Sequence, residues 1–142
     1  GAALSRLLRG NDGRDVTDGG AAPRFAFVDA YVDSKDQSLA AYQFELTAQG
    51  AGVTLVGVEG GDHPAYAEPP YYDPKANLRN RIVMAAFNTG DDLPHGRTRV
   101  ARVMVRITGA ADPVWSAKLD VAASPDAKPI DATISVSEGA AP

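Results

Sequence analysis

The chain of 142 residues contains no cysteine. That excludes disulfides, thiolate metal sites and cysteine nucleophiles. No stretch approaches the roughly 20 consecutive apolar residues that a membrane-spanning helix requires. No secretory leader is recognisable, but the chain opens on Gly1 rather than Met, which makes that absence uninformative. Basic charge is also in short supply: 14 Lys and Arg stand against 18 Asp and Glu, a net charge of −4. Binding to nucleic acid needs a basic surface that displaces phosphate counterions. Arg97, Arg99, Arg102 and Arg106 do cluster, yet no lysine run joins them and Asp91 and Asp92 oppose them. We therefore expect no nucleic-acid partner.

Catalytic signatures are missing as well. No serine sits in a G-x-S-x-G elbow, and no glycine-rich phosphate loop follows a strand and opens a helix. His63 and His95 both fall in turn-like segments beside prolines, and Asp91 and Asp92 read as turn formers in GDDLPHG. Carboxylate pairs abound in an acidic chain, so spacing alone argues for no glycosidase-type pair. The reading is of a protein that is not an enzyme and carries no cofactor.

What is present is an ordinary globular composition, 44% hydrophobic and 23% charged. A domain of this length buries roughly 70% of its unfolded surface and sustains a core without covalent staples. Ala2 to Arg9 (AALSRLLR) has the pattern of a short helix. The segment Gly10 to Pro23 is rich in Gly, Asp and Asn, which favours turns and linker over packed structure. We place a flexible N-terminal segment at 1–23, a folded domain at 24–138 and a C-terminal tail at 139–142. Residues 1 to 22 are expected to add little to stability.

From Arg24 onward a period of two dominates. Tyr42, Phe44 and Leu46 alternate with Gln43 and Glu45; Val103, Val105 and Ile107 with Arg102, Met104 and Arg106. Trp115, Ala117, Leu119 and Val121 alternate with Ser116, Lys118 and Asp120; Ile130, Ala132, Ile134 and Val136 with polar neighbours. Such alternation places one face on a core and the other in water. Arg24 to Asp33, Val53 to Glu59 and Arg81 to Asn88 also read as strands, the first with both faces partly covered. Seven strands separated by Gly, Pro and Asp predict an all-β, two-sheet antiparallel sandwich, with one short helical turn possible around 73–80. The predicted core is Tyr42, Phe44, Leu46, Val103, Val105, Ile107, Trp115, Leu119, Ile134 and Val136.

The strand near Gly96 to Thr108 breaks parity, because Arg97 and Arg99 share the phase of Val103 and Val105. A β-bulge near Val100 and Ala101 would turn them outward. The simpler reading, which we prefer, is that both arginines precede the buried part of the strand.

Phe25 to Leu46 (FAFVDAYVDSKDQSLAAYQFEL), VTLVGVEGG, RIVMAAFNTG and HGRTRVARVMVRI resemble successive strands of cohesin-like domains across roughly Phe25 to Ser137. The resemblance implies a jelly-roll or immunoglobulin-like sandwich of the kind shared by cohesins and carbohydrate-binding modules. Such domains are non-catalytic and act by adhesion or docking. The Pro- and Tyr-rich loop departs from cellulosomal cohesins, so no binding residues are carried over.

That loop, Glu59 to Pro74 (EGGDHPAYAEPPYYDP), is the most unusual segment, with three tyrosines, four prolines and four acidic residues. Its prolines stiffen it. Glu59, Asp62, His63, Glu68 and Asp73 are an oxygen-rich set that could suit Ca²⁺, although the spacing matches no known loop. The GNDGRDVTDGG segment fails as a calcium loop because Val16 occupies the position of the required glycine. Tyr66, Tyr71 and Tyr72 could present flat faces to a ligand, with Glu68 beside them and Arg97 and Arg99 across the neighbouring turn. The alternative is that the loop merely covers one end of the sandwich. The function expected is a non-catalytic, extracytoplasmic interaction module that docks a protein partner or a glycan, any signal or anchor lying outside this chain. The alternatives are a structural domain of a larger exported protein and a hydrolase with an acidic site around Glu59 to Asp73.

Overall fold

The computed structural model describes residues 22–74 and 80–140. The expected N-terminal helix, the linker before Ala22 and the body of the expected turn at 73–80 lie outside the described residues.

The described residues form eight strands: β1 (Arg24–Asp33), β2 (Ala41–Gln49), β3 (Gly52–Gly60), β4 (Tyr71–Tyr72), β5 (Arg81–Phe87), β6 (Arg97–Thr108), β7 (Val114–Ala123) and β8 (Thr133–Ala140). A 3-10 turn, Pro64–Tyr66, lies between β3 and β4. The strands make two four-stranded antiparallel sheets, ordered β3-β6-β1-β8 and β4-β5-β2-β7. The expected sandwich is present. β4 is the strand that the sequence pattern missed, being only two residues long, and β8 runs on through Gly139 and Ala140 to pair with Phe27 and Ala26.

The core lies between the two central pairs of strands. Val28, Val32, Phe44, Leu46, Met84, Val103 and Val105 are completely buried, and Tyr42 and Ile107 almost so. On β1 the buried set is Ala26, Val28, Ala30 and Val32, while Phe25 is exposed on the outer face. Phe27 and Tyr31 share that outer face half-buried, because arginines cover them: the Arg97 guanidinium lies 3.8 Å from the Tyr31 ring centre and that of Arg102 lies 4.8 Å from Phe27. Cation–π contact replaces part of the hydration that the rings lose.

β6 begins at Arg97, and its register with β1 passes from Ala30 opposite Ala101 to Tyr31 opposite Arg99. Val100 is the extra residue of a bulge, and both Val100 and Ala101 are buried. Arg97 and Arg99 therefore precede the buried part of the strand, as preferred, and the bulge considered as the alternative is present as well. Both belong to β6, and the bulge flips their phase outward. One irregular ladder step costs less than burying a guanidinium without a partner.

Trp115, Leu119, Ile134 and Val136 point inward as expected, but they are only half-buried. Parity assigns a face and not a depth. β7 and β8 are edge strands of the two sheets, so water reaches their inner side chains from the flank. Ile130 and Ala132 precede β8, in a loop held by the Ile130 N–H donating to the Ala122 carbonyl at 3.0 Å. Leu119→Ala should therefore cost about 1–2 kcal/mol, below the usual range for a fully buried leucine. Urea unfolding measures it, and a loss above about 3 kcal/mol would place Leu119 in a sealed core.

Candidate functional site

The proline-rich loop is built on two glycines at its base. A Cβ on Gly60 would strike the Ala67 and Tyr66 carbonyls, and one on Gly61 the Arg99 carbonyl. Side chains at these two positions are thus excluded by backbone on the opposite side. The Gly61 N–H donates to the Tyr66 carbonyl at 2.7 Å, and the Asp62 N–H to the Arg99 carbonyl at 3.1 Å. His63 caps the 3-10 turn, its Nδ1 accepting from the Ala65 N–H at 3.0 Å. Pro64 at the start of the turn has its φ preset and lacks an N–H that would otherwise go unpaired. Asn88 at the end of β5 donates to the Ala65 carbonyl at 3.0 Å, tying the turn to the second sheet.

The three tyrosines separate. Tyr66 is buried; its hydroxyl donates to the Leu39 carbonyl at 2.8 Å, and its ring meets Tyr42 edge-on with centroids 5.3 Å apart. Tyr72 stands opposite Met84 and is half-buried against the core. Tyr71, one residue earlier in β4 and so on the opposite face, is 73% exposed. A shared platform of all three rings does not form.

Tyr71 instead has a different companion. It pairs with Ala85, and Phe87, two residues along β5 on the same face, is 77% exposed. Diagonal neighbours of this kind lie within reach of aromatic side chains. Both rings border a shallow cleft of about 390 Å³ whose other wall is the loop itself, Pro64, Glu68, Pro69 and Pro70. The outer ladder continues from Tyr71 and Ala85 to Gln43 and Val121, the last 44% exposed. Gln43 thus interrupts the apolar surface between the cleft and Val121 on the outer face of the second sheet. Phe87 was not singled out in the sequence. The signal was there: it shares the phase of charged Arg81, whereas Ile82 and Met84 take the core phase.

Arg97 and Arg99 do not line this cleft. Arg97 stacks on Tyr31 on the other sheet. Arg99 pairs with Asp62 at 2.9 Å and so braces the base of the loop from behind. Among the described residues no three of His, Asp and Glu converge as a metal site would require. Asp62 is engaged by Arg99, and His63 Nε2 lies 3.5 Å from Asp92. A second, more polar cleft of about 600 Å³ lies between the turn after β1 and the loop after β7. Its Lys35 is paired with Asp131 at 2.8 Å.

Burial pushes the Tyr66 hydroxyl up from its usual 10.0 to about 12. Burial raises that of Tyr42 further. Both groups hold their protons more tightly folded than unfolded. The stability they contribute is full below pH 10 and is lost as pH rises toward 12. Fluorescence-monitored denaturation across that window should show progressive destabilisation, and Tyr66→Phe should reduce its slope. An unchanged midpoint across the window would mean that Tyr66 ionises as freely in the folded state as in the unfolded. The chain matches no family model, and no curated protein is significantly similar to it.

Proposed function

We propose that this domain is a non-catalytic docking module that takes a protein partner at the Tyr71–Phe87 cleft. The observation that carries the reading is the pair of neighbouring aromatic rings, each about three-quarters exposed, against a wall of prolines on a rigid sandwich. Large apolar side chains held open to water cost free energy unless something covers them. Aromatic rings on preordered elements anchor partners at small entropic cost. A glycan would need hydrogen-bonding groups around the rings. Here Asn88 is already committed on both sides, to the Ala65 carbonyl and to the Gly90 N–H. That leaves Glu68 and Gln43 as the polar groups nearby, which favours an apolar protein anchor over a sugar. A setting outside the cytoplasm, within an exported assembly, and the cohesin-like resemblance accord with this reading.

Capture from native lysate by the immobilised chain, with mass spectrometric identification, tests it. Tyr71→Ala and Phe87→Ala should each weaken capture by about 30-fold, the effect of losing a hot-spot aromatic. Both should leave the unfolding midpoint within about 0.5 kcal/mol of the parent, since neither ring is in the core. Retention of the partner by the double variant would sink the proposal, and ring-dependent binding on a glycan array would replace the protein partner by a sugar.

A further inference from the structure

The four sheet edges are not alike. Edge strands expose unpaired backbone groups and are normally blunted by bulges, prolines, charges or brevity. β3 carries a bulge at Val56, where its register with β6 passes from Leu55 to Gly57. β4 is two residues long, between Pro69–Pro70 and Pro74. β7 bulges at Asp120 and presents exposed Lys118. Apart from one acidic residue, Glu138, β8 has none of these devices. It runs eight residues, Thr133–Ala140, in unbroken register against β1, without Lys, Arg or Pro. Its one charged residue, Glu138, accepts from the Trp115 indole at 2.6 Å. Among the described residues no strand pairs with its other edge.

The same flank is where the core is unsealed. Ile134 and Val136 of β8 and Trp115 and Leu119 of β7 all point inward and all remain half-exposed. A strand added to β8 would continue the first sheet and hang alternate side chains over this gap. It would need apolar residues at every second position on the inner side and small ones outside. The first half of β8 has that pattern, with Ile134 and Val136 inward and Ser135 and Ser137 outward; Glu138 follows in the inward phase and is engaged by Trp115. Antiparallel pairing with an identical strand would place Ile134 and Val136 of both copies side by side. It would also send the two Glu138 carboxylates to opposite ends of the ladder, so no like charges meet.

We propose that the chain self-associates through β8, two copies joining their first sheets into one continuous eight-stranded antiparallel sheet about a two-fold axis. This is independent of the cleft at Tyr71 and Phe87, which lies on the second sheet. Sedimentation equilibrium of the whole chain should show a concentration-dependent dimer. Ser135→Lys/Ser137→Lys should abolish it while keeping the unfolding midpoint of the parent measured at concentrations where the parent is monomeric, and Lys118→Ser on β7 should leave it intact. The absence of native cysteine supplies a second readout that tolerates a poorly folding lysine variant. At least one of Ser135→Cys and Ser137→Cys should oxidise to a covalent dimer, and Lys118→Cys should not. A monomer at every concentration overturns the proposal, as does a dimer insensitive to the lysine pair. Slow hydrogen exchange, in a monomer, of the alternate β8 amides that point away from β1 would also overturn it, because the free edge would then be covered within one chain.

Discussion

Phe44→Ala should lower the unfolding free energy by about 3–5 kcal/mol, enough to unfold much of a marginally stable domain. Phe44 has no exposed surface and lies at the middle of β2, a strand flanked on both sides, by β5 and β7, within the second sheet. Its ring stacks on Tyr42 at 5.7 Å, and its cross-strand partners are Met84 and Leu119. Opposite it the first sheet contributes Val28, Val103 and Val105, all completely buried and β-branched. Such side chains have few rotamers with which to collapse into the space a ring would leave. The cost is therefore both the lost transfer of the ring and an unfilled cavity. Urea unfolding with an unchanged denaturant slope would report it cleanly. A loss below about 1 kcal/mol would mean that the two sheets do not pack face to face around this residue.

Gly61→Ala should be nearly as damaging, at about 3 kcal/mol, for a reason unrelated to burial of apolar area. The added methyl would overlap the Arg99 carbonyl, and because that group is backbone inside a β-strand it cannot swing aside. Either the loop lifts from β6 or β6 distorts beside its bulge. In the first case the Asp62 N–H loses the Arg99 carbonyl, the Asp62–Arg99 pair opens, and the proline wall of the cleft moves away from Phe87. The variant should thus lose stability and partner capture together, whereas Tyr71→Ala loses capture alone. Gly57→Ala is the matched control: nothing lies within 4 Å of a Cβ there, so stability should be nearly unchanged. Equal midpoints for the two alanine variants would show that Gly61 does not sit against β6.

Much of this molecule can be read along the chain because strand formation is written in nearest-neighbour alternation. Each inward residue expected on β2 and on the second half of β6 is buried. The unusual character of the Glu59–Pro74 segment was also legible, since tyrosine and proline are conspicuous locally. Its internal arrangement was not. Whether Tyr66, Tyr71 or Tyr72 faces water depends on which strand each one pairs with, and β4 is too short to show a period. Phe87 became part of a site only once β4 paired with β5 and brought Tyr71 beside it.

The sequence by itself determined the class of fold, the location of most strands, which side of β2 and of the second half of β6 faces inward, and the lack of any thiol chemistry, since these follow from residue type and local spacing. The tertiary structure alone decided the order of strands within the sheets, and with it every property that depends on neighbours distant in the chain. It chose the bulge that turns Arg97 and Arg99 outward, because only the register against β1 exposes the cost of burying them. It left Trp115, Leu119, Ile134 and Val136 half-open, because alternation specifies direction and depth is conferred by a flanking strand, which among the described residues β7 and β8 each lack on one side. It also left β8 unpaired on one side among the described residues, a property of pairing that no pattern within β8 encodes.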